Sequence, residues 1–393
     1  MKRSKKEAVK TVESKLRAAG WLIQDADDLK IPSFGGLSVC DVRLSRNYGM
    51  ADMLLYVDGK VAGLIEIDTQ SNVLFGVDPQ IEKYRLGLPI ILPVYTRPLP
   101  FLYQSNGEEI RFTNAFDAEP RARALFAFHK PETLKAWLED GMIGSMPRDM
   151  AAAESIEHGR RGATLQERLW INMPPLIEDG LSLIQCDAIN ALEQSLKKNN
   201  PRVLIQMKDA TERKATALHL INRLIRFADA RRVLYLVNSE NIGREIHKRF
   251  QDCVSPYDKK ALTQTLPVQH VTDNQLDLNA RICIATLPRM YDLLTNETMN
   301  EKGSEKSPEE ILETVAPLQY NPDIPIGTFD IVVIDTCSAP LTRHFRRVLG
   351  YFDAYVIGMS GKADEKTVEL FDGNLLLGDE KDENGGLVVI SEV

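Results

Sequence analysis

The sequence predicts an α/β protein in two units, the second built around a parallel sheet. Three observations carry that prediction. The chain has 393 residues, more than one ordinary domain holds. Strand-like apolar runs dominate residues 1–145. Over residues 181–393, short apolar strands alternate with amphipathic helices, the pattern of a parallel sheet covered on both faces. Residues 146–180 read as a connection of mixed composition between the two.

The elements follow in order. Residues 5–19 set Val9, Val12, Leu16 and Ala19 at helical spacing, with a lysine-rich outer face. Strand-like segments come next: LSVCDVRL, MADMLLYVDGK and VAGLIEIDT. VDPQIEKYRLGL reads as a helix, PIILPVYT and PFLYQS as further strands, and KPETLKAWLED as a helix with proline near its start. EHGRRGA reads as a linker. In the second unit the helices LIQCDAINALEQSLKK, TALHLINRLIRFA and NIGREIHKRFQ alternate with the strands RVLIQM, RRVLYLVNS, ARICIAT and FDIVVID; YFDAYVIGMS follows. Residues 295–320 are polar and read as a surface excursion. An acidic stretch precedes a last apolar run.

Bulk composition narrows the classes. Hydrophobic residues make up 44% and charged residues 26%, ordinary for a soluble globular chain. A net charge of -8 excludes a chain-wide polycation but leaves room for local basic patches. Five cysteines lie scattered with no CxxC pair, which fits a reduced cytosol and argues against a disulfide frame or zinc site. No signal peptide and no bilayer-spanning run is evident. A cytoplasmic protein without a membrane partner is expected.

The first candidate site lies in MADMLLYVDGKVAGLIEID, which reads as a hairpin around Asp58-Gly59. Met53, Leu55 and Val57 form one apolar face, and Val61, Ile65 and Ile67 the matching one. A three-residue loop, Asp58-Gly59-Lys60, sets Asp52 opposite Glu66; a two-residue loop sets them on opposite sides. In the favoured register Asp52, Glu66 and Asp68 project to one side. Three acids together need a cation or protons, and hard oxygen ligands suit magnesium, which could activate water for phosphodiester cleavage. The other reading of the same residues is a solvated sheet face with scattered acids.

MADMLLYVDGKVAGLIEI, FGVDPQIEKYRLGLP, PLPFLYQSNGEEIRFTN and FAFHKPETLKAWL resemble the N-terminal nuclease domain of type I restriction enzyme R subunits, a PD-(D/E)xK fold. The resemblance implies Asp52 and Glu66 as the two acids of that pattern, and Gln80 and Tyr84 as its Gln-xxx-Tyr pair. Asp68 stands where the family has lysine, so the cation expected beside the scissile phosphate is replaced by an anion. Lys60 and Lys83 are the nearby lysines in sequence.

The second candidate site is VLIQMKDATERKATALHLINRLIRF, Val203 to Phe227. A strand, a short polar turn and an amphipathic helix stand where a phosphate-binding loop would sit, without its glycines. The family resemblance continues here, to about residue 375, as a single RecA-like lobe of the P-loop NTPase type. It puts Gln185 in the adenine-reading position of a Q-motif helix. The Gly-Ala-Gly-Lys-Thr positions fall on Ala210, Thr211, Glu212, Arg213 and Lys214. Ala210 and Glu212 oppose the backbone curl around phosphate, and Glu212 adds a repelling charge. Asp-Glu-Cys-His appears as Asp335-Thr336-Cys337-Ser338, and Thr-Ala-Thr as Ser360-Gly361-Lys362. The chain ends after one lobe, whereas a motor closes two around ATP. ATP use is therefore not expected.

Three functions follow as expectations. One is a non-motor relative of restriction R subunits that binds DNA, or methyltransferase and specificity subunits. Arg160, Arg161, Lys197, Lys198, Arg202, Arg231 and Arg232 are its candidate phosphate contacts. The second is an ATP-independent, magnesium-dependent endonuclease using Asp52, Glu66 and Asp68, with Gln80 and Tyr84 organising substrate. The third is a pure interaction protein that regulates a restriction system.

Overall fold

The computed structural model describes residues 4–28, 30–69, 79–144, 164–296, 318–335, 343–381 and 387–391. The expected linker at 157–163, most of the polar excursion (297–317) and residues 382–386 lie outside them. The chain divides into two compact units, Met1–Glu167 with Pro322–Gly327 and Arg168–Asn321 with Thr328–Val393.

Unit 1 opens with α1 (Lys5–Ala18), started by a capping box between Ser4 and Glu7. Ala8, Val12 and Leu16, one turn apart, are buried; Val9 is only partly so. A seven-stranded sheet follows in chain order: β1 (Leu22–Asp25), β2 (Gly36–Arg43), β3 (Met50–Val57), β4 (Lys60–Ile67), β5 (Phe101–Ser105), β6 (Ile110–Asn114) and β7 (Arg123–Leu125). The β1–β2 and β4–β5 pairs are parallel and the others antiparallel. α2 (Pro79–Leu86) and α3 (Pro131–Gly144) complete the unit. Leu54, Tyr56, Leu64 and Leu102 form its core with Ile81, Tyr84 and Leu88. The expected strand PIILPVYT does not form. It makes a single bridge, Val94 to Val61, because Pro89 and Pro93 lack the amides that a ladder needs.

The β3–β4 hairpin differs from its expected form in a way that matters for the site. Val57 pairs with Lys60, so the loop is Asp58-Gly59 alone, not three residues. Both loop residues have positive φ, 44° and 81°, as a type I′ turn requires. Such a turn alone would put Asp52 and Glu66 on opposite faces. A bulge corrects it: Tyr56 pairs with Val61 but Leu55 with Gly63, leaving Ala62 as an extra residue on β4. Beyond the bulge Met53 pairs with Ile65, and one step on Asp52 comes across from Glu66. The bulge also moves Val61 into the core of Leu54, Tyr56 and Leu64, away from the face expected for it with Ile65 and Ile67.

Unit 2 follows α4 (Leu165–Ile171), which straddles the division between units. Its elements run α5 (Leu183–Lys197), β8 (Arg202–Gln206), α6 (Ala210–Phe227), β9 (Val233–Val237), α7 (Glu240–Asp252), α8 (Leu262–Thr265), β10 (Val268–His270), β11 (Ile282–Thr286) and α9 (Leu287–Thr295). Then come β12 (Ile331–Ile334), α10 (Arg343–Tyr351), β13 (Tyr355–Ser360), α11 (Glu365–Leu370), β14 (Asn374–Lys381) and β15 (Leu387–Ser391). The sheet order is β10-β11-β9-β12-β13-β8-β14-β15, parallel throughout except for the β14–β15 pair. All of β9, β11 and β12 is buried, which is why these strands read as unbroken apolar runs.

Burial depresses the pKa of His219, on α6, below its ordinary value of 6.5. The unfolded chain therefore binds this proton more readily than the folded one. The stability that His219 contributes is complete above about pH 6.5 and is lost as pH falls through the lower, folded value. Urea titrations of unit 2 at pH 7.5 and 5.5 are expected to show a smaller loss in His219→Gln than in the wild type. Equal losses would contradict the assignment.

Candidate functional site

Two groups of predicted residues come together, one in each unit. In unit 1 the acids converge on the end of the β3–β4 hairpin. Asp52 is 9% exposed and Glu66 8%, so the pair is not a solvated face. The Ile67 amide donates to Asp52 Oδ2 at 2.7 Å, which fixes the carboxylate. Its other oxygen, Oδ1, lies 2.7 Å from the ammonium of Lys5. Partial burial would lower the Lys5 pKa. The hydrogen bond and charge of Asp52, with Glu66 and Tyr84 behind it, outweigh that and raise it. Tyr84 is buried on α2, and Gln80 lies one turn before it on the same helix.

Asp68 stands apart from this arrangement. It follows the last residue of β4, is half-buried, and its amide continues the ladder to the Ser105 carbonyl at 3.0 Å. Among the described residues no three His, Cys, Asp or Glu side chains gather closely enough to hold a metal ion. Asp52 and Glu66 remain as two carboxylates, a number compatible with magnesium that keeps waters and takes substrate phosphate oxygens. Such an ion would supply charge to activate water, and it would have to displace Lys5 from Asp52 Oδ1. Of the lysines close in sequence, Lys60 sits at the turn end of β4 with its ammonium 5.3 Å from the Tyr95 ring centre, and Lys83 is exposed on α2. Neither is the lysine on Asp52. Lys5 comes from α1, which no local pattern ties to β3.

In unit 2 the second group lies at the carboxyl ends of adjacent parallel strands, where α/β sheets bind ligands. Only Met207, Lys208 and Asp209 separate β8 from α6, and Ala210 to Lys214 are already helical. Asp209 is the N-cap. Its Oδ1 accepts from the amides of Thr211 and Glu212, both at 2.8 Å. These are the orphan donors that would otherwise meet a phosphate. Arg213, only 6% exposed, turns back and donates from Nη1 to the carbonyls of Met207 (2.6 Å) and Lys208 (3.0 Å). A Cβ on Gly361 would lie 3.1 Å from the same nitrogen, so the Ser360–Lys362 segment closes over the guanidinium.

The remaining candidates there are also engaged. Lys214 pairs with Glu245 on α7 at 2.8 Å, and that ion pair holds the Glu245 carboxyl below its usual range. Gln185 accepts from the Ser182 amide in the capping box of α5, while the Ser182 hydroxyl donates to Glu212 at 2.8 Å. Asp335, after β12, is buried, and its amide donates to the Leu236 carbonyl. Burial raises the Tyr235 phenol well above its ordinary value. The negative charge of Asp335 adds to this, and Arg249 and Arg213 oppose it. Thr336, Cys337 and Ser338 lie outside the described residues. Asp209 was missed in the sequence, although an aspartate directly before an amphipathic helix is a cap signal.

The basic residues proposed as phosphate contacts are partly spent inside the fold. Arg202 donates to the Leu370 carbonyl at 2.9 Å. Arg232 donates to the carbonyls of Ala280 and Asp277 and stacks over Phe329. Arg160 and Arg161 lie outside the described residues. No helix among the described residues is long and apolar enough to cross a membrane.

With both sites in view, the chain is similar to the restriction subunits of restriction enzymes. Residues 180–364 match the family model described as type III restriction enzyme, res subunit. Among curated proteins, the type I restriction enzyme EcoKI endonuclease subunit of Escherichia coli is 23% identical over 302 residues, 70% of this chain and 22% of that protein. The chain therefore spans about a fifth of that relative's length. The aligned stretch is longer than everything after residue 180, so it takes in part of unit 1. Among solved structures, a fragment of an HsdR subunit of a type I restriction enzyme from Vibrio vulnificus aligns over 96% of this chain and 59% of that one. Its identity is 18% and its TM-score 0.34. The UvsW helicase of bacteriophage T4 aligns over 48% and 55%, at 11% identity and a TM-score of 0.31.

Proposed function

We propose that this chain serves a restriction system as an R-subunit-like protein that binds DNA, or methyltransferase and specificity subunits, without ATP-driven translocation. The observation that carries this reading is the nucleotide end of unit 2, which is filled from within. The Asp209 carboxylate already takes the amides at the start of α6, and the Arg213 guanidinium takes the turn carbonyls. A polyphosphate would have to displace Asp209 and then sit beside Asp209 and Glu212, all anionic. At close range that repulsion is on the order of a few kcal/mol for each charge pair. Lys214, in the place of the magnesium-binding hydroxyl, is a cation tied to Glu245.

The test is titration of the purified chain with a fluorescent ATP analogue in magnesium, alongside an ATPase assay with linear duplex DNA. The expected result is no saturable nucleotide binding at micromolar concentration and no DNA-stimulated hydrolysis. Either activity would end this reading. Direct DNA binding is expected to weaken steeply with salt, as phosphate contacts require.

A second reading is favoured by the hairpin: a magnesium-dependent endonuclease of the PD-(D/E)xK type, independent of ATP. Support comes from Asp52 set across from Glu66, both nearly buried, with a lysine ammonium on Asp52 and Tyr84 alongside. Magnesium is a proposed cofactor of that site, held by Asp52 and Glu66.

A further inference from the structure

We infer that Lys5 is the cation that meets a nucleic-acid phosphodiester at the Asp52–Glu66 pair, taking the place left when β4 carries Asp68. The inference rests on the endonuclease reading and adds to it a residue from outside the hairpin.

Geometry comes first. The Lys5 ammonium lies 2.7 Å from Asp52 Oδ1, on a carboxylate whose other oxygen the Ile67 amide holds. Glu66 and Tyr84 act on the same ammonium. Lys5 therefore stands within the charge field of both acids, although it comes from a different element. Accessibility comes second. The Lys5 side chain is 55% exposed while Asp52 is 9% exposed. The ammonium thus links a nearly buried acid to solvent, the side from which a DNA backbone arrives. An ammonium has three donors: without metal one can stay on Asp52 while the others reach phosphate oxygens, and when a magnesium ion takes Asp52 Oδ1 the displaced ammonium is free to turn to the phosphate.

Helix chemistry gives the third argument. Lys5 is the first residue of α1, directly after the N-cap Ser4. A cation at that end opposes the helix macrodipole, and an acid would serve helix stability better. Glu7 supplies that acid within the same turn. The placement of Lys5 is accounted for by Asp52 and Glu66, not by α1. Finally, the alternatives on the hairpin side are absent from the pair: Lys60 lies over Tyr95, and Asp68 is anionic.

The test uses the full chain with Lys5→Gln, Lys5→Arg and the double change Lys5→Gln with Asp68→Lys. The first readout is equilibrium binding of a labelled duplex in EDTA across a salt series. Lys5→Gln is expected to lower affinity about 3- to 10-fold at low salt and to flatten the log–log salt slope by roughly one; Lys5→Arg is expected to keep both. The second readout is nicking of supercoiled plasmid in magnesium. Lys5→Gln is expected to slow nicking about 100-fold or more, and the double change to recover it in part.

Nicking that depends on Asp52 but is unaffected by Lys5→Gln overturns the Lys5 assignment and leaves the endonuclease reading standing. A wild-type chain that does not nick overturns the endonuclease reading. The binding arm then decides Lys5 as a phosphate contact, and unchanged affinity and slope overturn it.

Discussion

Exchanging Arg223 for methionine is expected to cost about 3–5 kcal/mol of unfolding free energy in unit 2. Arg223, on α6, is 2% exposed, among the largest side chains so deeply buried in the described residues. Its guanidinium grips Glu193 on α5 at both oxygens, Nε to Oε1 at 2.5 Å and Nη2 to Oε2 at 3.1 Å. Nη2 also donates to the Pro174 carbonyl at 2.7 Å, and Nη1 to the Tyr257 hydroxyl. Burial would lower the arginine pKa, but the hydrogen bonds and charges of Glu193 and Tyr257 outweigh it and raise it. Methionine restores much of the volume and none of the charge, so Glu193 would remain buried as a lone carboxylate. The companion variant, Arg223→Met with Glu193→Leu, removes that carboxylate and is expected to recover most of the loss. Urea unfolding followed by circular dichroism measures both. Equal losses in the single and double variants would show that packing, not charge, governs this contact.

The second large effect concerns chemistry. Asp52→Ala is expected to reduce magnesium-dependent nicking by at least about 100-fold, since even loss of a group outside the ligand shell costs 10- to 100-fold. Asp52→Asn separates charge from shape. An amide oxygen can still accept from the Ile67 amide, so the hairpin end is kept, but position 52 no longer offers a charge to Lys5 or a cation, and Glu66 is left as the lone acid. Asparagine is expected to be as silent as alanine in the nicking assay. Nicking at the wild-type rate by the asparagine variant would remove the carboxylate from the chemistry.

Much of the fold was readable from the residues. The parallel strands of unit 2 announced themselves as short apolar runs because both of their faces are covered. The helices announced themselves by spacing and caps. The hairpin was harder. From Ala51 to Val57 and from Val61 to Ile67 every residue is buried, so alternation gives little sign of which face is which. The expected meeting of Asp52 and Glu66 was right in outcome but assigned to loop length, whereas the structure achieves it through the extra residue on β4. PIILPVYT looked like a strand by its isoleucines and valine, but its prolines outweighed them. The sites divided in the same way. Asp209 could have been found, since its place before α6 is a local signal. Lys5 could not, because its partnership with Asp52 exists only once α1 has folded against the sheet, and no spacing rule reaches that far along a chain.

The bulge at Ala62 carries one more consequence. Asp52 on β3 and Glu66 on β4 owe their alignment to the pairing from Gly63 onward, and Ala62 is the residue that pairing leaves out. A shortening by that single residue would leave the turn and both carboxylates in place. The Tyr56–Val61 and Leu55–Gly63 pairs would then adjoin in a regular ladder, and Glu66 would still come across from Asp52. For this hairpin, then, position 62 is where β4 can lose a residue without parting its acids.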